Sequence, residues 1–268
     1  MKHTMYIVDA FTDTLFKGNP AAVIVLEEWL SESLMQAIAQ ENNLSETAYL
    51  VADEQGRYHI RWFSPISEID FCGHASLASA YVLLNEYKQS APLRMYAKAV
   101  GEFSMEQLEN GRIEMNFPAR RAEPISEIPA QLIAGLSIAP KEIWRNQQAY
   151  MVVYDNEDDV RKVVTDDAQL KQLHPYDVVV TAAGSETDCV SRYFWPANGG
   201  TEDPVTGSIH ACLFPYWGQR LGKTELIALQ ASSRTGMLYG RLEGDRVYIS
   251  GDCVLYAVGE ISLQLHKV

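Results

Sequence analysis

RWFSPISEIDFCGH occupies residues 61–74, and a similar stretch, RYFWPANGGTEDPVTGS, occupies residues 192–208. Each runs from an aromatic strand to a proline, then to an acidic residue, and then to a glycine that precedes an apolar segment. The correspondence continues downstream, where Arg112 lies 39 residues after Gly73 and Arg246 lies 39 residues after Gly207, each in a turn. This repeat predicts two similar domains.

The segment that follows each glycine is predicted to be a helix buried on all sides. Residues 75–84 are almost wholly small and apolar, and residues 208–217 are also mostly apolar, which is typical of a helix without a solvated face. The surrounding segments pair as hairpins, as at the Asn110-Gly111 turn. A sheet can bury such a helix by curling around it. We therefore expect an α+β fold with two pseudo-symmetric domains, each a mostly antiparallel β-barrel around a central apolar helix.

The chain is predicted to divide into two domains at a boundary that begins at Pro118. We predict an N-terminal barrel domain over residues 1–117 and a C-terminal barrel domain over residues 118–255, with a final strand at 256–268 that can return to the first domain. The glycines match neither the dinucleotide-binding nor the P-loop pattern, and long amphipathic crossover helices are missing. A Rossmann sheet is therefore disfavoured.

Charge and cysteine content restrict the partners of the chain. A net charge of −13 over 268 residues argues against nucleic acid and anionic membranes, whereas a helix N-terminus can still attract a small anion. The four cysteines are widely spaced, without the pairing typical of zinc sites or of a disulfide framework. The chain shows neither a signal-like N-terminus nor an apolar run long enough for a bilayer. We expect a cytoplasmic protein with no metal and no cofactor.

Candidate chemical groups surround the two glycines. A helix that begins at Gly73 or Gly207 exposes backbone N–H groups and the positive end of its dipole. His74 would lie in the first helical turn, where the dipole favours the neutral ring that accepts or relays a proton. Each glycine taken alone is also explained as a simple helix start, but the pair favours a shared ligand site.

The remaining candidates have structural alternatives. Glu46 lies between a helix and a buried strand, where it serves either as a cap or, in an apolar cleft, as a general acid or base. Asp203 precedes Pro204, and its structural alternative is simply to cap the second helix. Cys72 lies at a helix N-terminus, which favours a reactive thiolate. The corresponding residue of the second repeat is Thr206, so a mechanism with two thiols is not possible.

Four motifs together resemble one family. They lie in the same order along the whole chain, at Val8–Thr12 with Gly18–Ala21, Leu44–Ala48, Phe71–Ala75 and Glu202–Ser208. This combination resembles the PhzF-like family of phenazine-biosynthesis isomerases. The resemblance implies the diaminopimelate-epimerase-like fold, with two pseudo-symmetric domains, an active site between them, and homodimers.

The resemblance also implies an activity and a set of residues. The best-known family activity is cofactor-free isomerisation of a dihydro-hydroxyanthranilate by proton transfer between carbons. Glu46 would be the proton shuttle, and His74 and Asp203 would orient the substrate and hold or relay protons. The substrate-binding residues implied are Gly73, Gly207, Ser208, Asn19 and Cys72.

Three hypotheses follow. The first is a cofactor-independent isomerase that moves a proton on a small anionic substrate, carboxylate-bearing and cyclic or unsaturated. The second is an epimerase or racemase that uses Glu46 and Cys72 as opposed acid and base. The third is a small-molecule-binding member of the fold without catalysis.

Overall fold

The structure is a computed structural model that describes residues 2–263. Its internal contacts divide the chain into two compact units. Unit 1 contains residues 2–116 together with 251–263, and unit 2 contains residues 117–250. Residues 264–268 of the predicted returning strand lie outside the described residues.

Unit 1 combines a mixed sheet with two helices. Its strands are β1 (Lys2–Ala10), β2 (Asn19–Leu26), β3 (Glu46–Ala52), β4 (Tyr58–Phe63), β5 (Glu68–Ile69), β6 (Leu93–Ala97), β7 (Gly101–Gln107), β8 (Ile113–Pro118) and β18 (Cys253–Ser262). Its helices are α1 (Glu32–Asn42), between β2 and β3, and α2 (Gly73–Asn85), between β5 and β6.

The strands of unit 1 form one row. β18, β1 and β2 are antiparallel neighbours, β2 is parallel to β3, and β3 is antiparallel to β4. β4 is parallel to β6, which continues through antiparallel β7 to β8, while short β5 pairs with β4. The parallel pairs arise where a helix connects the two strands.

Helix α2 is buried along its length, as the sequence predicted. The residues from Gly73 to Ala80 are all buried, and so are Val82 to Leu84. The helix packs against β1, β2, β3 and β18. The packing is close at Gly251, where an added Cβ would lie 3.3 Å from the Leu77 side chain of α2. The uniformly small and apolar composition is therefore explained by a helix that meets protein on every side.

Unit 2 combines a second mixed sheet with shorter helices. Its strands are β9 (Glu123–Pro124), β10 (Glu142–Arg145), β11 (Ala149–Val153), β12 (Asp177–Ala183), β13 (Cys189–Phe194), β14 (Glu202–Asp203), β15 (Glu225–Gln230), β16 (Gly236–Glu243) and β17 (Arg246–Gly251). Its helices are α3 (Ala130–Ala134), α4 (Glu157–Lys162), α5 (Asp167–Leu170) and α6 (His210–Leu221), with 3-10 turns at Lys171–Leu173 and Pro196–Asn198.

The strands of unit 2 pair in the same sequence as those of unit 1. β9, β10 and β11 are antiparallel neighbours, β11 is parallel to β12, and β12 is antiparallel to β13. β13 is parallel to β15, which continues through antiparallel β16 to β17, while short β14 pairs with β13. Each strand from β10 to β17 thus has a counterpart among β1 to β8.

The sheets are not closed barrels. A barrel requires its first and last strands to pair. Within the described residues of unit 1, the row runs openly from β18 to β8, and in unit 2 it runs openly from β9 to β17. Closure is not needed to bury α2, because packing on β1, β2, β3 and β18 already covers that helix. The closed-barrel description from the sequence is therefore not confirmed, and the architecture is a sheet-rich mixture of α and β elements.

The second apolar helix begins later than the sequence predicted. Gly207 to Ile209 form a tight turn in which the His210 N–H donates to the Gly207 carbonyl at 3.1 Å, and α6 begins only at His210. Pro215 lies inside the helix and has no N–H for the Ala211 carbonyl. That carbonyl accepts from the Arg120 N–H at 2.9 Å instead. Gly207 and Ser208 therefore precede the helix rather than open it.

Helix α6 packs on its sheet through aromatic side chains. Gly240 of β16 leaves room for the ring of Phe214, which a Cβ there would contact at 2.4 Å. The Trp217 indole N–H donates to the buried Thr181 hydroxyl of β12 at 3.0 Å. In the part of the chain from residue 2 to residue 263, none of the helices is long and apolar enough to cross a membrane.

Candidate active site

One end of the unit 1 sheet gathers four of the predicted site residues. Asn19 opens β2 and Glu46 opens β3, and these parallel strands pair with Ala21 opposite Glu46. Cys72 is the N-cap residue of α2, and His74 is the second residue of that helix. The start of the helix is thereby brought to the same end of the sheet as Asn19 and Glu46.

His74 lies at the centre of this cluster. Its Nε2 is 2.9 Å from Glu46 Oε2, and its Nδ1 is 3.1 Å from Asn19 Nδ2. Cys72 Sγ lies 3.3 Å from the same Nδ1. Asn19 is fully buried, His74 is 5% exposed, and the Glu46 side chain is 13% exposed. The Glu46 side chain is the member of this cluster that retains the most solvent contact.

Asn19 determines which imidazole nitrogen of His74 carries the proton. A carboxamide nitrogen only donates, so His74 Nδ1 accepts from Asn19 Nδ2. The neutral ring then carries its hydrogen on Nε2, which faces the Glu46 carboxylate. A carboxylate beside a neutral imidazole keeps lone pairs that can take a proton from a substrate.

In unit 2, Asp203 is held by a small polar network. The Thr206 hydroxyl donates to the Asp203 carboxylate. Gln230 is fully buried, donates to the Asp203 backbone carbonyl at 2.9 Å, and accepts from the Thr206 N–H at 2.8 Å. The residue before α6 is Ile209, which makes no side-chain cap bond. Asp203 is therefore not the N-cap residue of α6.

Ser208 belongs to a second network in unit 2. Gln148, directly before β11, donates from Nε2 to Ser208 Oγ at 2.9 Å and to the Tyr193 hydroxyl at 3.0 Å. The Tyr193 hydroxyl donates to Asp177 at 2.7 Å. Asn198 donates to the same carboxyl group at 2.7 Å. Burial raises the pKa of Asp177 and that of Tyr193.

His210 is a structural histidine. It is fully buried, and its Nδ1–H donates to the Thr206 carbonyl at 2.9 Å. Burial lowers the pKa of His210 from its ordinary value of 6.5 to about 4. The ring is therefore neutral near pH 7.

Gln148, Tyr193 and Asp177 were not predicted from the sequence. Two of these residues carried a positional signal. Asp177 opens β12 as Glu46 opens β3, and Gln148 precedes β11 much as Asn19 opens β2. Of the residues predicted, Asn19, Glu46, Cys72, Gly73 and His74 lie together in unit 1, and Asp203, Gly207 and Ser208 belong to unit 2.

A comparison with protein-family models gives a match over residues 8–259, to the family described as "Phenazine biosynthesis-like protein". The chain belongs to this family. An uncharacterized isomerase of Pseudomonas aeruginosa is 46% identical over 263 residues, which cover 98% of this chain and 100% of that protein. An uncharacterized isomerase of Halalkalibacterium halodurans is 41% identical over 267 residues, with the same coverage.

Solved structures agree with this assignment. A PhzF-family phenazine biosynthesis protein of Enterococcus faecalis superposes with a TM-score of 0.93 at 44% identity, covering 98% of this chain and 100% of that one. A hydroxyproline epimerase of Agrobacterium vitis superposes with a TM-score of 0.61 at 10% identity, covering 98% of this chain and 93% of the epimerase. At that low identity, the second likeness concerns the fold alone.

Proposed function

We propose that the protein is a cofactor-independent isomerase that moves a proton on a small carboxylate-bearing substrate, cyclic or unsaturated. The observation that carries this proposal is the 2.9 Å contact between Glu46 Oε2 and His74 Nε2, with the ring tautomer set by Asn19. Membership of the phenazine biosynthesis-like family supports it, and so do the relatives that are named isomerases.

The proposed reaction uses one carboxylate twice. Glu46 accepts a proton from one carbon of the substrate and returns it to another, so the enzyme ends in its starting state. His74 Nε2 lies 2.9 Å from Glu46 Oε2, and the ring packed against the carboxylate limits its movement. Between the two steps, the negative charge is delocalised in the substrate, where fixed hydrogen-bond donors stabilise it. Positioned acid–base groups of this kind contribute about 10²- to 10⁴-fold in rate.

The other roles in this proposal come from the family resemblance. Gly73, Gly207 and Ser208 bind the substrate carboxylate through backbone N–H groups and a hydroxyl. Asp203 orients the substrate or relays a proton. Asn19 and Cys72 complete the substrate-binding set. Two duplicated domains and a homodimer belong to the same proposal.

The contacts in unit 1 argue against an epimerase with Glu46 and Cys72 as opposed bases. Two such groups sandwich one carbon and approach it from opposite faces at about 3–3.5 Å each, so their atoms stand roughly 6–7 Å apart. The Cys72 sulfur and a Glu46 carboxylate oxygen lie within 4.8 Å of each other. We therefore favour a mechanism in which one carboxylate performs both proton transfers.

The test is proton exchange in heavy water. The wild-type protein is incubated in D₂O with unsaturated cyclic carboxylates, beginning with a dihydro-hydroxyanthranilate, and deuterium incorporation is measured by mass spectrometry. We expect Glu46→Gln to lower incorporation and turnover by about 10²- to 10⁴-fold. Turnover that survives in Glu46→Gln would reject the assigned role.

A matched control separates catalysis from folding. Glu114 of β8 is another largely buried carboxylate of unit 1, 8% exposed, and the proposal gives it no role. Glu114→Gln should therefore retain turnover. Saturable binding of a panel compound without any deuterium incorporation would instead support the non-catalytic binding protein.

A further inference from the structure

Glu46, Cys72 and His74 together carry the donor types of a zinc site. One sulfur, one imidazole nitrogen and one carboxylate oxygen lie within 4.8 Å of one another. Neutral imidazole, thiolate and carboxylate are the groups that bind zinc in proteins. The linear sequence gave no such signal, because Glu46 is far from Cys72 along the chain and the cysteines are not paired in spacing.

The distances within this trio suit a tetrahedral ion. Cys72 Sγ lies 3.9 Å from His74 Nε2, and that nitrogen lies 2.9 Å from Glu46 Oε2. Zinc bonds of about 2.3 Å to sulfur and about 2.0–2.1 Å to nitrogen or oxygen place tetrahedral ligands roughly 3.3–3.6 Å apart. Movements of about half an ångström bring these two pairs to tetrahedral spacing. The Cys72 sulfur and the Glu46 oxygen lie within 4.8 Å of each other, so closing that third pair takes at most about 1.3 Å. Three protein ligands leave a fourth position for water or a small anion.

Asn19 supplies the outer contact that a zinc-bound histidine requires. When Nε2 binds a metal, the proton of the ring moves to Nδ1 and needs an acceptor. The side-chain carboxamide of Asn19 faces Nδ1 at 3.1 Å. A carboxamide that turns over presents its oxygen in place of its nitrogen. The same residue can thus support the proton-transfer tautomer or the metal-bound one.

We propose that Glu46, Cys72 and His74 bind a zinc ion, and that zinc and substrate turnover exclude each other. The thiolate and imidazole favour zinc over magnesium or calcium, which prefer oxygen ligands. A bound ion would occupy the carboxylate and the imidazole that the proposed reaction uses. Zinc would therefore act as an inhibitor rather than as a cofactor. The binding claim is independent of the proposed function, and only the inhibition depends on it.

Cobalt(II) provides the probe for binding. The purified, chelator-treated protein is titrated with Co²⁺, and absorption is recorded for the thiolate-to-cobalt charge-transfer band and the visible bands of tetrahedral cobalt. Zinc is then added to displace the cobalt, and competition with a chromophoric chelator measures zinc affinity. We expect one site with thiolate ligation in the wild-type protein. A titration without a thiolate band would overturn the proposal.

Variants locate the site. Cys72→Ser should abolish the thiolate band, while Cys253→Ser, at another free cysteine that is only partly buried in β18, should retain it. Asn19→Ala should weaken zinc binding by about 10- to 100-fold, the range for an outer-shell partner. Thiolate ligation that persists in Cys72→Ser would overturn the assignment.

Inhibition of turnover by zinc is measured in a separate experiment. If the isomerase reaction is observed, zinc at a concentration that fills the site should abolish turnover in the wild-type protein, and a chelator should restore it. Full turnover by the zinc-bound protein would overturn the exclusion. Because the cobalt spectrum needs no substrate, failure of the proposed function would leave the binding result intact.

Discussion

The residue after the motif glycine is a histidine in unit 1 and a serine in unit 2, although the strands around it pair in the same sequence. His74 contacts the Glu46 carboxylate directly. Ser208 instead contacts a carboxamide, Gln148, and the carboxyl group at the position corresponding to Glu46 is Asp177. The shared framework therefore supports two different arrangements of polar groups.

The carboxyl groups of Asp177 and Glu46 differ in the number of protein groups that contact them. Asp177 accepts from the Tyr193 hydroxyl and from Asn198, both at 2.7 Å. Glu46 faces one imidazole nitrogen. A carboxylate held by several protein donors is a fixed acceptor, whereas a less constrained one can exchange a proton with a ligand. Within this duplicated frame, unit 1 is thus suited to proton transfer and unit 2 to holding a hydroxyl in a set direction.

Replacing each of these acids by the other type tests this difference, and Glu46→Asp has the largest expected effect on turnover. Glu46→Asp shortens the side chain by one methylene and withdraws the carboxylate by more than an ångström. We expect turnover to fall by about 100-fold, since a misplacement of that size costs about this much. The measurement is steady-state turnover of a substrate identified by deuterium exchange.

The reciprocal change is the control for this exchange. Asp177→Glu adds a methylene to a well-packed site and should lower the free energy of unfolding by about 1–3 kcal/mol, while turnover stays within a few-fold of wild type. Equal losses of turnover in Glu46→Asp and Asp177→Glu would show that the two positions are not chemically distinct.

His210 makes the stability of unit 2 depend on pH, whereas its counterpart in unit 1, Ser76, has no titratable side chain. Ser76 and His210 each lie three residues after the motif glycine, and each donates to the backbone carbonyl of the residue before that glycine. Burial lowers the pKa of His210 from 6.5 to about 4. Between pH 6.5 and pH 4, the unfolded chain binds more protons than the folded one. The free energy of unfolding therefore falls as the pH falls.

We expect a loss on the order of 2 kcal/mol from this histidine between pH 7 and pH 4.5. His210→Asn retains an N–H donor without titrating, so the variant should lose this part of the pH dependence even if its stability at pH 7 is lower. Urea unfolding at several pH values gives the measurement. If the free energy of unfolding of His210→Asn depended on pH as steeply as that of the wild-type protein, His210 would not be the group responsible.

Local sequence signals were sufficient for many elements of the fold. Ser31 caps α1 by accepting from the Leu34 N–H, and Asn43 ends the helix in the left-handed region with a φ of 47°. Gly111 adopts a φ of 87° in the turn between β7 and β8. Capping and turn residues act on their own neighbours, so the sequence reveals them without knowledge of the tertiary fold.

Features that depend on distant partners were not predicted. Strands β6 and β15 pair in parallel with β4 and β13 across a helix, and the sequence analysis did not identify either one. The start of α6 was placed too early because the turn at Gly207 continues into the helix without a capping side chain. Glu46 and His74 were candidates from their positions at a strand start and a helix start, and they also lie in the family motifs. Gln148 lies 60 residues from Ser208 and belongs to no motif.

Gln148 gives the smallest predicted effect and the most direct test of the unit 2 arrangement. Its amide nitrogen only donates, so Ser208 Oγ accepts from Gln148 and its own hydrogen is directed elsewhere. If Ser208 binds the substrate carboxylate as proposed, Gln148 orients the hydroxyl that donates to it. Gln148→Met is similar in size but offers no N–H. We expect it to raise KM by about tenfold with little change in kcat, because one oriented hydrogen bond to an anion is weakened.

A double-mutant cycle distinguishes this positioning role from a general loss of structure. Ser208→Ala removes the hydroxyl that Gln148 orients, so adding Gln148→Met to that variant should leave KM unchanged. Gln148→Glu provides a second comparison: its carboxylate would attract the Ser208 hydrogen and turn it away from the substrate, so KM should rise further than in Gln148→Met. If Gln148→Met raised KM equally with and without Ser208, the residue would act through packing, and the contrast between the two units would rest on Glu46 and His74 alone.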